Sequence, residues 1–86
     1  MTTGVPSKIR RVIRQRLDVA ENRITLDASF MGDLGADSLA LMDLTLALEA
    51  TFDIEISVAE AEQIRTVREA VASIERHVKA RERAPH

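Results

Sequence analysis

The sequence contains no cysteine and only two aromatic residues, both phenylalanine, among its 86 residues. Without cysteine, the chain can form neither a disulfide nor a thiolate metal site. Scarce aromatics in a chain that is 45% hydrophobic, with many leucines and alanines, favour helices over strands. No apolar run approaches the roughly 18 residues of a membrane span, and the N-terminal residues lack an apolar signal segment. We therefore expect a soluble, cytoplasmic protein without membrane insertion.

Charge is unevenly distributed along the chain, although the net charge is only −2. Residues 1–17 carry five bases and no acid, residues 18–62 carry eleven acids and one base, and residues 63–86 carry six bases and three acids. An acidic middle repels nucleic acid and attracts a basic protein surface. Charge alone leaves two interpretations open, a protein-docking face or a merely solvated one.

Hydrophobic spacing and capping residues predict an all-α fold, a four-helix bundle with a long loop after helix one and a short third helix. The predicted helices run from about Pro6 to Leu17, from Ser38 to Phe52 after the N-cap Asp37, over Val58–Ile64, and from Val67 to about Lys79. We expect residues 1–80 to form this domain and residues 81–86 to be a disordered tail.

Two further patterns refine these boundaries. Ser57 with Glu60, and Thr66 with Glu69, match the capping box that opens a helix. In the long loop, residues 18–36, apolar residues are spaced so that they can pin the loop to the core, namely Ile24, Leu26, Phe30 and Leu34. Helix four is predicted to face inward through Val71, Ile74 and Val78. Loops of this length are often functional.

Helix two is predicted to carry two apolar stripes on opposite sides. At 100° per residue, the core stripe comprises Leu41, Leu44, Leu48 and Phe52. The second stripe, called the apolar strip below, comprises Leu39, Met42, Leu46 and Ala50; Asp43 and Glu49 flank it, and Asp53 lies within it. Full burial would place carboxylates in the core at high cost, so we expect an exposed strip suited to protein docking.

The segment before helix two reads Asp33-Leu-Gly-Ala-Asp-Ser-Leu39. Ser38 follows the cap Asp37 in the first helical turn, where its hydroxyl is reachable by another protein. The seven-residue string, followed by a helix rich in Leu, Met and Asp, resembles the acyl carrier protein family. The resemblance covers about residues 7–78 and includes Phe30, Ala47-Leu48-Glu49, Phe52, Ile54-Glu55-Ile56, Ala61-Glu62 and Thr66-Val67.

The resemblance implies that Ser38 receives 4'-phosphopantetheine from coenzyme A through a phosphopantetheinyl transferase. It implies a carrier of acyl thioesters, a monomer that catalyses nothing itself and visits acyl-transferring and acyl-modifying synthase enzymes. Partner docking would involve Asp37, Leu39, Met42, Asp43, Leu46 and Glu49. Ala40, Ala50 and Thr51 stand where the family is usually more polar or acidic. These departures weaken the case for a housekeeping role in fatty acid synthesis, and the pathway stays open between fatty acid, polyketide and specialised lipid synthesis.

Other classes of function fit the sequence less well. An enzyme with Ser38 as its nucleophile would need a base, and neither His77 nor His86 lies in a suitable motif. A calcium loop starting at Asp27 would have Met31 at its fifth position and Ser38 at its twelfth, which excludes the EF-hand pattern. The acidic middle opposes DNA binding through the basic first helix. The serious alternative is a helical interaction domain that is never modified.

Overall fold

The computed structural model describes residues 4–83, which form four α-helices and one 3₁₀ turn. The helices are α1 (Gly4–Leu17), α2 (Ser38–Phe52), α3 (Val58–Gln63) and α4 (Val67–Arg83), and the 3₁₀ turn covers Glu21–Arg23. This confirms the predicted all-α four-helix fold with a long first connection and a short third helix. None of the described helices is long and apolar enough to cross a bilayer.

The core is mostly aliphatic and includes the fully buried ring of Phe30, a loop residue. Helix periodicity explains which residues reach it, because α1, α2 and α4 contribute positions three and four apart, whereas α3 has no buried residue. The buried hydrophobic residues of the helices are Ile9, Val12, Ile13, Leu44, Ala47, Leu48, Phe52, Val67, Ala70 and Ile74. The core face predicted for α2 is thus confirmed, with Leu41 only half-buried.

The long loop is pinned to the core as predicted, but through a partly different set of residues. Ile24, Phe30 and Leu34 are buried, whereas Leu26 is 47% exposed. The N–H of Ala28 donates to the carbonyl of Thr25 across 3.1 Å, which closes a turn with Leu26 at its outer corner. The prediction for Leu26 was therefore wrong, and the smaller Ala28 is buried instead.

The predicted starts of α2, α3 and α4 are confirmed, whereas α1 begins at Gly4, ahead of the predicted Pro6, and α3 ends at Gln63 instead of Ile64. The capping box predicted for α3 forms only in part. Thr66 and Glu69 make the reciprocal capping box, since Thr66 N–H donates to Glu69 Oε1 (3.0 Å) and Glu69 N–H to Thr66 Oγ1 (3.2 Å). Backbone N–H groups of Arg65 and Thr66 hold the pKa of Glu69 below its usual value. Ser57 caps α3 through Glu60 N–H at 3.1 Å, but the Glu60 carboxylate bonds to α4 instead of completing the box.

The C-terminal helix is longer than the sequence predicted. α4 continues to Arg83, so residues 81–83 of the predicted disordered tail are helical; residues 84–86 lie outside the described residues. Arg81 explains the extension, because its Nη1 donates to the carbonyls of Phe52 (2.8 Å) and Asp53 (2.7 Å) at the end of α2. These carbonyls have no partner within their own helix, so one guanidinium caps α2 and anchors α4.

The inward face of α4 also differs slightly from the prediction. Ile74 is fully buried, but Val71 and Val78 are only half-buried. Val67, Ala70 and Ser73 take the remaining buried positions. The buried face of α4 is therefore shifted by about one residue around the helix from the predicted face. This shift brings the Ser73 hydroxyl into the interior.

Candidate functional site

Ser38 is the first residue of α2 and is exposed to solvent. The preceding Asp37 is the N-cap, as predicted: its backbone is extended, and its Oδ1 accepts a hydrogen bond from Ala40 N–H at 2.8 Å. A carboxylate at this end is stabilised by the helix dipole. The Ser38 hydroxyl therefore stands at a well-capped, accessible helix N-terminus.

The loop before Ser38 is held in place on both sides of Gly35, which has a left-handed backbone conformation. Gly35 has a φ of 72°, in the left-handed region that a residue with a Cβ rarely adopts. Leu34 and Ala36 on either side are buried, and Ala36 N–H donates to the Phe30 carbonyl at 2.8 Å. Gly35 thus lies between two buried anchors that position the chain before the start of α2.

A groove of about 510 Å³ lies between α2 and α3 and reaches Ser38 at one end. Its α2 wall comes from Ser38, Leu41, Met42, Thr45, Leu46 and Glu49, and its opposite wall from Ile56, Val58, Ala61 and Glu62. Most of these side chains are apolar, and Glu49 and Glu62 supply the carboxylates of the lining. Such a groove suits an apolar chain that starts near the Ser38 hydroxyl.

The apolar strip of α2 is exposed, as the wheel predicted. Leu39 is 75%, Met42 61% and Leu46 58% exposed, and Val58 on α3 is 76% exposed across the groove. Large apolar side chains clustered at this level of exposure mark an interaction surface more often than chance solvation. Met42 and Leu46 belong to both the strip and the groove wall.

The acids beside the strip all have partners within the chain. Asp43 Oδ1 lies 3.7 Å from Arg16 Nη1 of α1, and Asp53 Oδ2 lies 3.8 Å from Arg81 Nη1 of α4. Glu49 Oε2 accepts a hydrogen bond from Ile56 N–H at 2.7 Å. The sequence predicted where these carboxylates lie but not their partners, which come from other helices and the α2–α3 connection.

A polar cluster ties α3 to α4 on the side away from the groove. The Glu60 carboxylate accepts a hydrogen bond from the Ser73 hydroxyl. Its Oε1 and Oε2 lie 2.9 Å and 3.0 Å from His77 Nε2. Burial by itself raises the pKa of Glu60, but the bonds from Ser73 and His77 and the nearby Arg76 outweigh it and leave that pKa lowered. We call this cluster of Glu60, Ser73 and His77 the Glu60 link.

Two residues considered for alternative functions, His77 and Asp27, make contacts that join parts of the fold. His77 Nε2 is bonded to Glu60, and Asp27, the first residue of the candidate calcium loop, pairs with Arg68 at 2.9 Å. His86 lies outside the described residues. Sequence reasoning missed the Glu60 link because a capping box accounts for Glu60 locally, while Ser73 and His77, four residues apart on one helix face, were the available signal.

Comparison with known proteins agrees with the motif around Ser38. A family model described as "phosphopantetheine attachment site" matches residues 7–74. The acyl carrier protein of Buchnera aphidicola subsp. Acyrthosiphon pisum strain Tuc7 is 46% identical over 73 residues, which cover 85% of this chain and 91% of the relative. That of strain 5A is 46% identical over 72 residues, 84% and 90% of the two chains. The chain therefore belongs to the acyl carrier protein family, as a carrier that works through phosphopantetheine and not as an enzyme.

Proposed function

We propose that Ser38 Oγ is the attachment atom for 4'-phosphopantetheine, and that the chain shuttles acyl thioesters on this arm between biosynthetic enzymes. The observation that carries the proposal is the position of Ser38, an exposed hydroxyl at the start of α2 and at one end of an apolar groove. Attachment forms a phosphodiester to Oγ, breaks the pyrophosphate bond of coenzyme A, releases adenosine 3',5'-bisphosphate as the leaving group, and transfers the serine proton to a base on the transferase.

The residues around Ser38 fit a phosphodiester. The start of α2 presents backbone N–H groups and the positive end of the helix dipole, a setting that favours phosphate. The Asp37 carboxylate lies at the same end of α2, where its Oδ1 already accepts a hydrogen bond from Ala40 N–H. When bound, the arm supplies a thiol that holds the acyl group; the chain's own residues hold the attachment point and offer a surface for the cargo.

The groove between α2 and α3 supports an apolar cargo. It starts at Ser38 and continues past Leu41 to Ile56, so an acyl chain that folds back along α2 meets apolar side chains. Burying each methylene there is worth about 0.8 kcal/mol, which favours shelter over exposure in water. Fatty acid, polyketide and specialised lipid synthesis all use such cargo.

Docking completes the proposal. We assign the contact surface to three members of the apolar strip and three nearby acids: Leu39, Met42, Leu46, Asp37, Asp43 and Glu49. The partners are a phosphopantetheinyl transferase and acyl-transferring or acyl-modifying synthase enzymes, and the carrier is a cytoplasmic monomer. A tethered arm raises the effective concentration of its cargo, so weak docking suffices.

The test is the intact mass of the protein before and after incubation with coenzyme A and a phosphopantetheinyl transferase. We expect a gain of one arm in the unaltered chain and no gain in Ser38→Ala. Ser7→Ala is the matched control, because it removes an equally exposed serine from α1 and leaves α2 intact. A gain that survives in Ser38→Ala would place the arm elsewhere, and no gain with several active transferases would support an interaction domain that is never modified.

A further inference from the structure

The acids along the proposed docking surface have partners within the chain. Along the edge of the apolar strip that faces α1, Asp43 is paired with Arg16. Along the edge that faces α3, Glu49 is bonded to the Ile56 backbone. At the end of the helix, Asp53 lies beside Arg81. A protein that binds this surface would therefore contact exposed apolar side chains, and the acids next to them already interact with other groups of the chain.

Arg16 is the only one of these partners that places a full positive charge beside the middle of the strip. Its side chain is 50% exposed and that of Asp43 is 54% exposed, so both face the solvent that a partner would displace. The 3.7 Å separation is longer than a hydrogen bond. Asp43 therefore does not saturate the five donors of the guanidinium, and the positive charge of Arg16 still repels an approaching basic side chain.

We infer that Arg16 determines docking specificity: by screening Asp43, it makes this face select partners with a predominantly apolar contact patch and disfavour partners with a strongly basic one. This inference rests on the proposed docking function of α2. A basic patch gains attraction from an unpaired Asp43 but meets a locally neutral Asp43–Arg16 pair when Arg16 is present, whereas an apolar patch loses nothing to Arg16.

The experiment measures binding to a phosphopantetheinyl transferase whose carrier-binding face is rich in Lys and Arg. Binding is measured by titration calorimetry in the Ser38→Ala background, so the result does not depend on whether Ser38 can be modified. In low salt, Arg16→Gln is expected to tighten Kd roughly two- to fivefold, the range of one exposed charge pair. The gain should shrink in high salt because exposed charges are screened.

Arg11→Gln is the matched control, since it changes net charge by the same amount from an exposed position on another side of α1. It should leave Kd within about 1.5-fold, as expected for a charge outside the contact. Adding Asp43→Asn to Arg16→Gln should remove the gain, because the unscreened carboxylate is then gone.

Three results would overturn the inference. Equal gains in Arg11→Gln and Arg16→Gln would mean that net charge, not Asp43, sets affinity. An unchanged or weaker Kd in Arg16→Gln would mean that Arg16 does not screen the surface. No binding by any variant would remove α2 as a docking face. None of these depends on the mass gain that tests attachment at Ser38, so the two proposals fail separately.

Discussion

Replacing Glu60 with alanine tests whether the Glu60 link holds α3 in place. α3 has six residues and no fully buried side chain, so few apolar contacts fix it. The Glu60 side chain reaches from α3 to α4, where it accepts a hydrogen bond from the Ser73 hydroxyl and contacts His77. Ser73 is only 1% exposed. In Glu60→Ala the Ser73 hydroxyl loses its partner inside the protein.

The magnitude follows from those contacts. A buried hydroxyl left unpaired costs about 1–3 kcal/mol, and a hydrogen bond involving a charged group adds about 1.5 kcal/mol at its weakest. Ser73 can turn back to a carbonyl one turn earlier in α4, which recovers part of the first cost. We therefore expect the free energy of unfolding to fall by about 2 kcal/mol, a large share of the roughly 4–13 kcal/mol typical for a chain of this length.

The assay is urea unfolding followed by helical circular dichroism. Glu62→Ala is the matched control, because Glu62 is an exposed acid two residues further along α3, and its replacement should cost no more than about 0.5 kcal/mol. In Ser73→Ala/Glu60→Ala the two losses should be less than additive, since each removes the same bond. Equal destabilisation in Glu60→Ala and Glu62→Ala would refute the reasoning.

The same link predicts a dependence on pH. The pKa of Glu60 is lowered in the folded state, because the bonds from Ser73 and His77 and the charge of Arg76 outweigh its burial. A carboxylate whose pKa is lowered in the folded state stabilises the fold at pH values above its pKa in the unfolded chain, which is about 4.3. This contribution is lost as the pH falls through the folded pKa. The stability gap between the unaltered chain and Glu60→Gln should thus be largest near neutral pH and close in acid; a constant gap would contradict it.

Three further substitutions have expected outcomes in the same unfolding assay. Phe30→Ala should cost about 3–5 kcal/mol, because this fully buried ring joins the loop to the core. Asp37→Ala should cost about 1 kcal/mol through loss of the α2 cap, and an unchanged midpoint would show that Ala40 N–H finds another partner. Arg81→Ala should cost about 1 kcal/mol, because two carbonyls at the end of α2 lose their donor, whereas Lys79→Ala should cost little.

The regular parts of this fold could be predicted from the sequence because they depend on local information. The core residues of α1 and α2 follow from helical spacing, and Asp37 and Thr66 mark helix starts through short-range bonds. Ser38 could be singled out because the string around it is specific. Each of these features is determined by residues within about one or two helical turns.

The features that could not be predicted join residues distant in the sequence. Glu60 matched a capping box, but its strongest partners lie 13 and 17 residues away on α4. Arg81 was assigned to a tail because nothing local gives it a role, yet it bonds carbonyls 28 and 29 residues earlier. Side-chain reach across helices depends on packing geometry, which hydrophobic periodicity does not encode.

Helix α2 shows why a functional helix can look like a buried one. Its residues are apolar on nearly every side, which in a larger protein would indicate a central core helix. Here each apolar side has a different role: Leu44 and Leu48 pack into the core, Leu41 lines the groove, and Leu39 is exposed beside Ser38. The carboxylates lie at the boundaries between these sides, where other parts of the chain can compensate them. Under the proposed function, the low amphipathicity of α2 follows from serving the core, the cargo and the partner at once.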